Sequence, residues 1–188
     1  MAPDVLLETD RLRLRRFTDS DADAALLFDL DSDPEVMRYI GPNTVGSVAE
    51  YRERLRTIWL PQYGEPPRGV WAVEERAGGG FVGWVMLRPS PLHRMAADLG
   101  WTRATDLEVG YRLRRAAWGR GYATECAAEL VRRGLLDSAV TAVVAVALAT
   151  NRASCRVLEK IGLSYERAVA LPGYADPGAV YSLTRGVA

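Results

Sequence analysis

LEVGYRLRRAAWGRGYATE, residues Leu107 to Glu125, holds a strand, a basic turn with two glycines and a helix start in immediate succession. Leu107, Val109, Tyr111 and Leu113 alternate with Glu108, Gly110 and Arg112 at the period of a strand. Gly119 and Gly121 then open backbone conformations that a side chain forbids. From Tyr122 to about Leu136 good helix formers dominate, with Ala127, Leu130, Val131 and Leu135 on one face and Glu125, Glu129, Arg132 and Arg133 off it. A helix start carries unpaired amides and the positive end of the peptide dipole, so the pattern predicts a phosphate or pyrophosphate ligand. Arg112, Arg114, Arg115 and Arg120 add charge of the right sign.

Two familiar phosphate loops fit poorly. A nucleotide-triphosphate loop, G-x-x-x-x-G-K-[ST], needs a lysine that is missing here. A dinucleotide fold wants G-x-G-x-x-G directly after the strand, whereas Gly119, Gly121 and Thr124 give G-x-G-x-x-T, with Arg114 to Trp118 intervening. Taken alone, the glycines could simply make the turn. The loop also resembles motif A of the GNAT superfamily of acetyl-CoA-dependent N-acetyltransferases, [Q/R]-x-x-G-x-[G/A], with Trp118 in the first position, Gly121 in the fourth and Ala123 in the sixth. Trp118 departs from that consensus but is similar to the W-G-x-G-Y-A-T-E form of the branch that includes the ribosomal-protein alanine and serine N-terminal acetyltransferases. Downstream, Asn151, Ser154, Leu158, Glu159, Lys160 and Gly162 in NRASCRVLEKIGL are similar to that branch's N-x-x-S-x-x-x-L-E-K-x-G motif. LETDRLRLRRF (Leu7 to Phe17) and DPEVMRYIG (Asp33 to Gly41) extend the resemblance over nearly the whole chain.

The resemblance implies an α/β (α+β) GNAT fold: one mixed, mostly antiparallel sheet of six or seven strands, flanked by about four helices. The strands containing Glu108 and Thr141 are then parallel and splay apart, and the gap admits pantetheine, whose amides meet unpaired strand amides. Acetyl-CoA is the implied cosubstrate. Its pyrophosphate falls on the amides of Gly119, Arg120, Gly121, Tyr122, Ala123 and Thr124 beside Trp118, with Leu113, Asn151 and Arg156 completing the cofactor set. An acetyl thioester is already activated, so transfer to an amine requires no metal. Similar enzymes carry an acid at the position of Glu108 that works as a base through water. Many have a tyrosine where this chain has Leu158, which leaves Ser154 as proton donor or orienting group.

A pKa argument bounds the acceptor. Near pH 7 an α-amine of pKa about 8 is roughly 10% neutral, and a lysine amine of pKa about 10.4 is below about 0.1% neutral. A peptide N-terminus or a similarly acidic small-molecule primary amine therefore asks least of the site. The alternative is a regulatory module that binds an acyl-CoA without turnover.

Composition narrows the partners. At 188 residues and 48% hydrophobic content the chain is expected to form one domain with a real core. A net charge of +0 gives no overall field for nucleic acid. The longest apolar run, Ala139 to Ala149, is far short of the roughly 20 residues of a membrane span, and MAPDVLLETD lacks a secretory pattern, so a cytoplasmic protein is expected. Homodimers are common among similar proteins, yet nothing in the sequence demands one. Cys126 and Cys155 read as reduced packing residues.

Elsewhere, Leu6 to Phe17 reads as one strand with its arginines on a solvated face. Thr18 or Asp19 caps a helix reaching about Leu30, and its acidic start, Asp19, Asp21 and Asp23, either stabilises that end or attracts a cationic acceptor. A short turn or helix is expected around Val36 to Ile40, and a longer helix from Val48 that ends before Pro61. Val70 to Glu74 and Phe81 to Pro89 form a hairpin. Ser90 to Thr105 has no clear period and holds the only histidine, His93. Thr141 to Leu148 is a buried strand, Arg152 to Ile161 a helix capped by Asn151 and stopped by Gly162, and strands near Leu163 to Val169 and Ala179 to Thr184 close the sheet.

Overall fold

The structure, a computed structural model, describes residues 4–41, 46–90 and 105–186. His93 and most of the segment between Ser90 and Thr105 lie outside them. Among the described residues eight strands, β1 (Val5–Glu8), β2 (Leu12–Arg16), β3 (Gly69–Glu75), β4 (Phe81–Pro89), β5 (Leu107–Leu113), β6 (Ala142–Leu148), β7 (Ser164–Val169) and β8 (Gly178–Thr184), form one sheet in the order β1-β2-β3-β4-β5-β6-β8-β7. Five α-helices accompany it: α1 (Asp21–Ser32), α2 (Pro34–Met37), α3 (Val48–Arg54), α4 (Tyr122–Gly134) and α5 (Arg152–Lys160).

β3 and β4 are covered on both faces, which explains their nearly unbroken apolar sequence. Trp71, Val73, Val85 and Leu87 pack with Cys126, Ala127, Leu130 and Val131 of α4 and with Cys155 and Leu158 of α5. The alternate residues Val70, Ala72, Trp84 and Met86 pack with Ala24, Leu27 and Leu30 of α1, Val36 of α2 and Tyr51 of α3. Each face thus has its own core. Both cysteines are free and buried, as expected.

The strand pairs are antiparallel except one, β5 with β6. That parallel pair is joined only at Leu107 with Val143 and Glu108 with Val144. Beyond those two positions β5 stays with β4 as far as Leu113 against Gly83, while β6 stays with β8 as far as Leu148 against Gly178. The sheet therefore opens into a wedge, as the resemblance implied.

Several sequence expectations need correction, the first being the six or seven strands expected where the sheet has eight. Leu6 to Phe17 is two strands, because Thr9 closes a turn: its N–H donates to the Leu12 carbonyl at 2.8 Å and its hydroxyl accepts the Leu12 N–H at 3.0 Å. The cap of α1 is Ser20, whose hydroxyl accepts the Asp23 N–H. The helix from Val48 does not stop at Pro61. It leaves α geometry after Arg54, widens to a π turn over Leu55–Trp59 and passes Pro61 as a 3-10 turn, Leu60–Gln62. Proline has no N–H to give the Thr57 carbonyl, so the α ladder cannot continue there.

The solvated arginine face of β2 also fails at one residue. Arg15 is buried between Asp23 of α1, at 2.8 Å, and Glu74 of β3, at 2.6 Å. The acidic start of α1 is spent in the same way, since Asp19 and Asp21 pair with Arg52 of α3. Burial tends to raise the Asp23 pKa, but hydrogen bonds from Arg15 and Thr18 outweigh it and hold the carboxyl below its ordinary value. A depressed folded pKa stabilises above the unfolded carboxyl pKa of about 4, and the contribution fades as acid titrates the group. Asp23→Asn is accordingly expected to lower the urea-unfolding free energy by about 3 kcal/mol at pH 7, with a smaller gap from the unaltered chain at pH 3. Equal loss at both pH values would show that the ion pair is not its cause.

Candidate active site

A cleft of about 380 Å³ opens at the wedge. One wall is Tyr111, Arg112 and Leu113 of β5 and another is the N-terminal half of the α5 segment, Asn151 to Val157, with Lys160 one turn further on. The turn from Ala117 and the first residues of α4 close one end. Glu35, Val36, Tyr39 and Ile40 lean in from α2 and the turn after it. That turn is tethered from the far end of the chain, because the Tyr174 hydroxyl donates to the Ile40 carbonyl at 2.6 Å.

The start of α4 differs from that of every other α-helix among the described residues. Side chains cap α1 (Ser20), α2 (Asp33), α3 (Ser47) and α5 (Asn151). The α4 cap is Gly121 in the left-handed region at φ 80°, with no side-chain hydrogen bond. A Cβ there would be strained. The first backbone bond of the helix is from Glu125 N–H to the Gly121 carbonyl, so among the described residues the amides of Tyr122, Ala123 and Thr124 have no acceptor. Three donors and the positive end of a 13-residue helix thus face the cleft unpaired. The carboxylate of Glu125 binds elsewhere: it accepts from the Thr9 hydroxyl at 2.5 Å and from Arg11 N–H and Nε at 3.0 and 2.7 Å, fastening the β1–β2 turn to the helix.

Of the residues expected to hold a cofactor, Leu113, Trp118, Gly119, Gly121, Tyr122, Ala123, Thr124, Asn151 and Arg156 line the cleft, as does Ser154. Trp118 is 47% exposed, and its indole N–H donates to the Leu113 carbonyl at 2.9 Å, fixing the turn between them. Arg120 is not in the wall. Its guanidinium pairs with Glu75 at 2.6 Å and lies over the Tyr122 ring. Of the other arginines read as phosphate partners, Arg112 is committed to Asp31 at 2.5 Å and Arg114 to Asp29 at 3.8 Å, while Arg115 is exposed and outside the cleft lining. The cations that reach the cleft without an ion pair among the described residues are Arg156 and Lys160, one turn apart on α5. The sequence reading named Lys160 only as a motif residue and gave it no part in the cofactor set, although its four-residue spacing from Arg156 was visible.

Glu108 does not line the cleft either. It stands at the last β5–β6 register pair, where the wedge begins, on the face opposite Leu107 and Val109. Its carboxylate is mostly buried and pairs with Arg88 at 3.2 Å. Tyr111, which the sequence reading treated only as a strand residue, does face the cleft, and its hydroxyl contacts Ser154.

Residues 11–164 match the acetyltransferase (GNAT) domain family. The chain belongs to the GNAT acetyltransferases. It is 32% identical over 177 residues to the uncharacterised protein YkkB of Bacillus subtilis (strain 168), covering 93% of each. It is 30% identical to the FsC-acetyl coenzyme A-N(2)-transacetylase of Aspergillus fumigatus, covering 83% of this chain and 67% of that one. The solved RimL ribosomal L7/L12 alpha-N-protein acetyltransferase in complex with coenzyme A superposes with a TM-score of 0.74 over 96% of this chain and 98% of that one, at 14% identity. The fold is thus the GNAT fold and the protein an acyltransferase. Arg156→Ala combined with Lys160→Ala is expected to weaken coenzyme A binding about tenfold and to flatten its dependence on salt. Calorimetry at two ionic strengths checks both effects.

Proposed function

We propose that this acyltransferase moves the acetyl group of acetyl-CoA to a primary amine, either a peptide N-terminus or a small-molecule amine, by direct attack on the thioester. The observation that carries the reading is the junction of two features in one cleft: the uncapped start of α4 and the wedge between β5 and β6. The diphosphate takes the amides of Tyr122, Ala123 and Thr124, with Arg156 and Lys160 adding charge. The pantetheine arm enters the wedge, where strand amides past Glu108 and Val144 are free of each other. The acceptor approaches from the side of Glu35, Val36, Tyr39 and Ile40. An α-amine is favoured because part of it is already neutral near pH 7. The relatives' acceptors, an FsC amine and a ribosomal protein N-terminus by their names, differ enough that they support the amine class and no single member of it.

Acetyl-CoA is expected to raise the melting temperature of the chain and to release free thiol in the presence of at least one primary amine from a panel of peptide N-termini, polyamines, amino acids and aminoglycosides. Gly121→Val places a β-branched residue in a left-handed position, at a cost of roughly 1–2 kcal/mol. It should leave a folded protein whose melting temperature no longer responds to acetyl-CoA. An unaltered chain that shows no shift at millimolar cofactor would sink the proposal, and a shift without thiol release across the panel would favour the non-catalytic module.

Glu108 enters this reading as a base that acts through an intervening water, since its carboxylate is held by Arg88 away from the cleft wall. Glu108→Gln should then lower kcat at least about tenfold, the small end of what a general base contributes. A lower melting temperature at unchanged kcat would assign the residue to the Arg88 ion pair alone.

A further inference from the structure

Ser154 is fixed at three points. Its N–H donates to Asn151 Oδ1 at 3.1 Å, and the Tyr111 phenol oxygen lies 3.0 Å from its carbonyl oxygen and 3.0 Å from its Oγ. A phenol has one proton and a carbonyl has none. Two oxygens with no proton between them repel at 3.0 Å, so the Tyr111 proton must point at the Ser154 carbonyl. The second short contact then needs the serine proton, which points at Tyr111. Ser154 Oγ is left with lone pairs and no hydrogen to offer. The arrangement is durable. Burial pushes the Tyr111 phenol well above its ordinary pKa, against the hydrogen bond with Ser154, so its proton stays in place through the neutral range.

Tyr111, Asn151 and Ser154 all line the cleft. Asn151 has its oxygen committed to the Ser154 N–H, and among the described residues its amide nitrogen has no partner. The first turn of α5 therefore offers one donor, Asn151 Nδ2, and one acceptor, Ser154 Oγ, to whatever occupies the wedge. Leu158, in the position where many relatives carry tyrosine, is 2% exposed and belongs to the core, so it contributes no polar group.

Resting on the proposed acetyl-CoA reading, in which Asn151 already belongs to the cofactor set, we infer that Ser154 is a hydrogen-bond acceptor for an amide N–H of the pantetheine arm and that Tyr111 is the positioning residue that holds it in that role. Donor and acceptor stand three residues apart on one helical turn, which matches a ligand that carries both N–H and C=O groups. Ser154 then contributes to cofactor affinity, and proton donation to the departing thiolate is not its role.

The experiment compares the unaltered chain with Ser154→Ala, Ser154→Thr and Tyr111→Phe, measuring coenzyme A affinity by calorimetry and acetyl-CoA kinetics by thiol release, with melting curves to establish that each is folded. Ser154→Ala should raise both the Kd for coenzyme A and the KM for acetyl-CoA about five- to tenfold, while kcat falls less than about threefold. Ser154→Thr, which keeps the hydroxyl, should recover most of the affinity. Tyr111→Phe should raise Kd about threefold with kcat again nearly unchanged, because Ser154 Oγ is freed to rotate and is no longer held as an acceptor. A kcat loss of about a hundredfold in Ser154→Ala at unchanged Kd would make the serine a proton donor and overturn the inference. Unchanged Kd and kcat would overturn it equally. If coenzyme A binds but no amine is acetylated, the Kd comparison still decides the role of Ser154, and the failure belongs to the catalytic reading instead.

Discussion

The parting of β5 from β6 after two register pairs is the constraint on which the rest of the molecule depends. A continuous sheet would satisfy its own backbone and leave no place for a ligand. Here each strand keeps its antiparallel neighbour to the end, so the wedge costs only the hydrogen bonds of one interface. The helices make that tolerable. α4 and α5 cover one face, α1 and α3 the other, and buried side chains on both sides hold the two halves of the sheet at their separation. The uncapped start of α4 then opens into the same space as the parted strands, which gives the cleft a charged end and a peptide-like interior.

Much of this was legible in the residues themselves. The Gly119 and Gly121 pair, the amphipathic helix behind it and the cap at Asn151 are local patterns, set by backbone conformation and helix periodicity within a few residues. The turn at Thr9 was also local but was hidden, because the apolar alternation on either side of it suggested one uninterrupted strand. The helix that passes Pro61 was misjudged for a different reason: proline forbids one α hydrogen bond, and π and 3-10 turns absorb that loss.

Charge pairing was the part that sequence could not supply. Arg112 meets Asp31, 81 positions away, and Arg11 meets Glu125, 114 positions away. Periodicity carries no information about such partners. Four arginines around the glycine turn therefore looked equally available for a phosphate, whereas three are neutralised by acids from α1 and β3. The cations left facing the cleft, Arg156 and Lys160, come from the second motif. The wall that best resembles a phosphate site in sequence is thus electrostatically quieter than the helix opposite it, and its contribution is the direction of its amides.

The tether from Tyr174 to Ile40 gives the two sides of the cleft different degrees of independence. The cofactor side rests on the large core beneath α4, where any change in volume is felt by many neighbours. The facing lip is a four-residue helix with one buried side chain, Val36, moored by a phenol from the β7–β8 turn. Variation in that turn can move the lip without disturbing the start of α4. A lineage built this way can reshape one rim of its cleft by altering a surface loop, leaving the opposite rim and the core under it as they were.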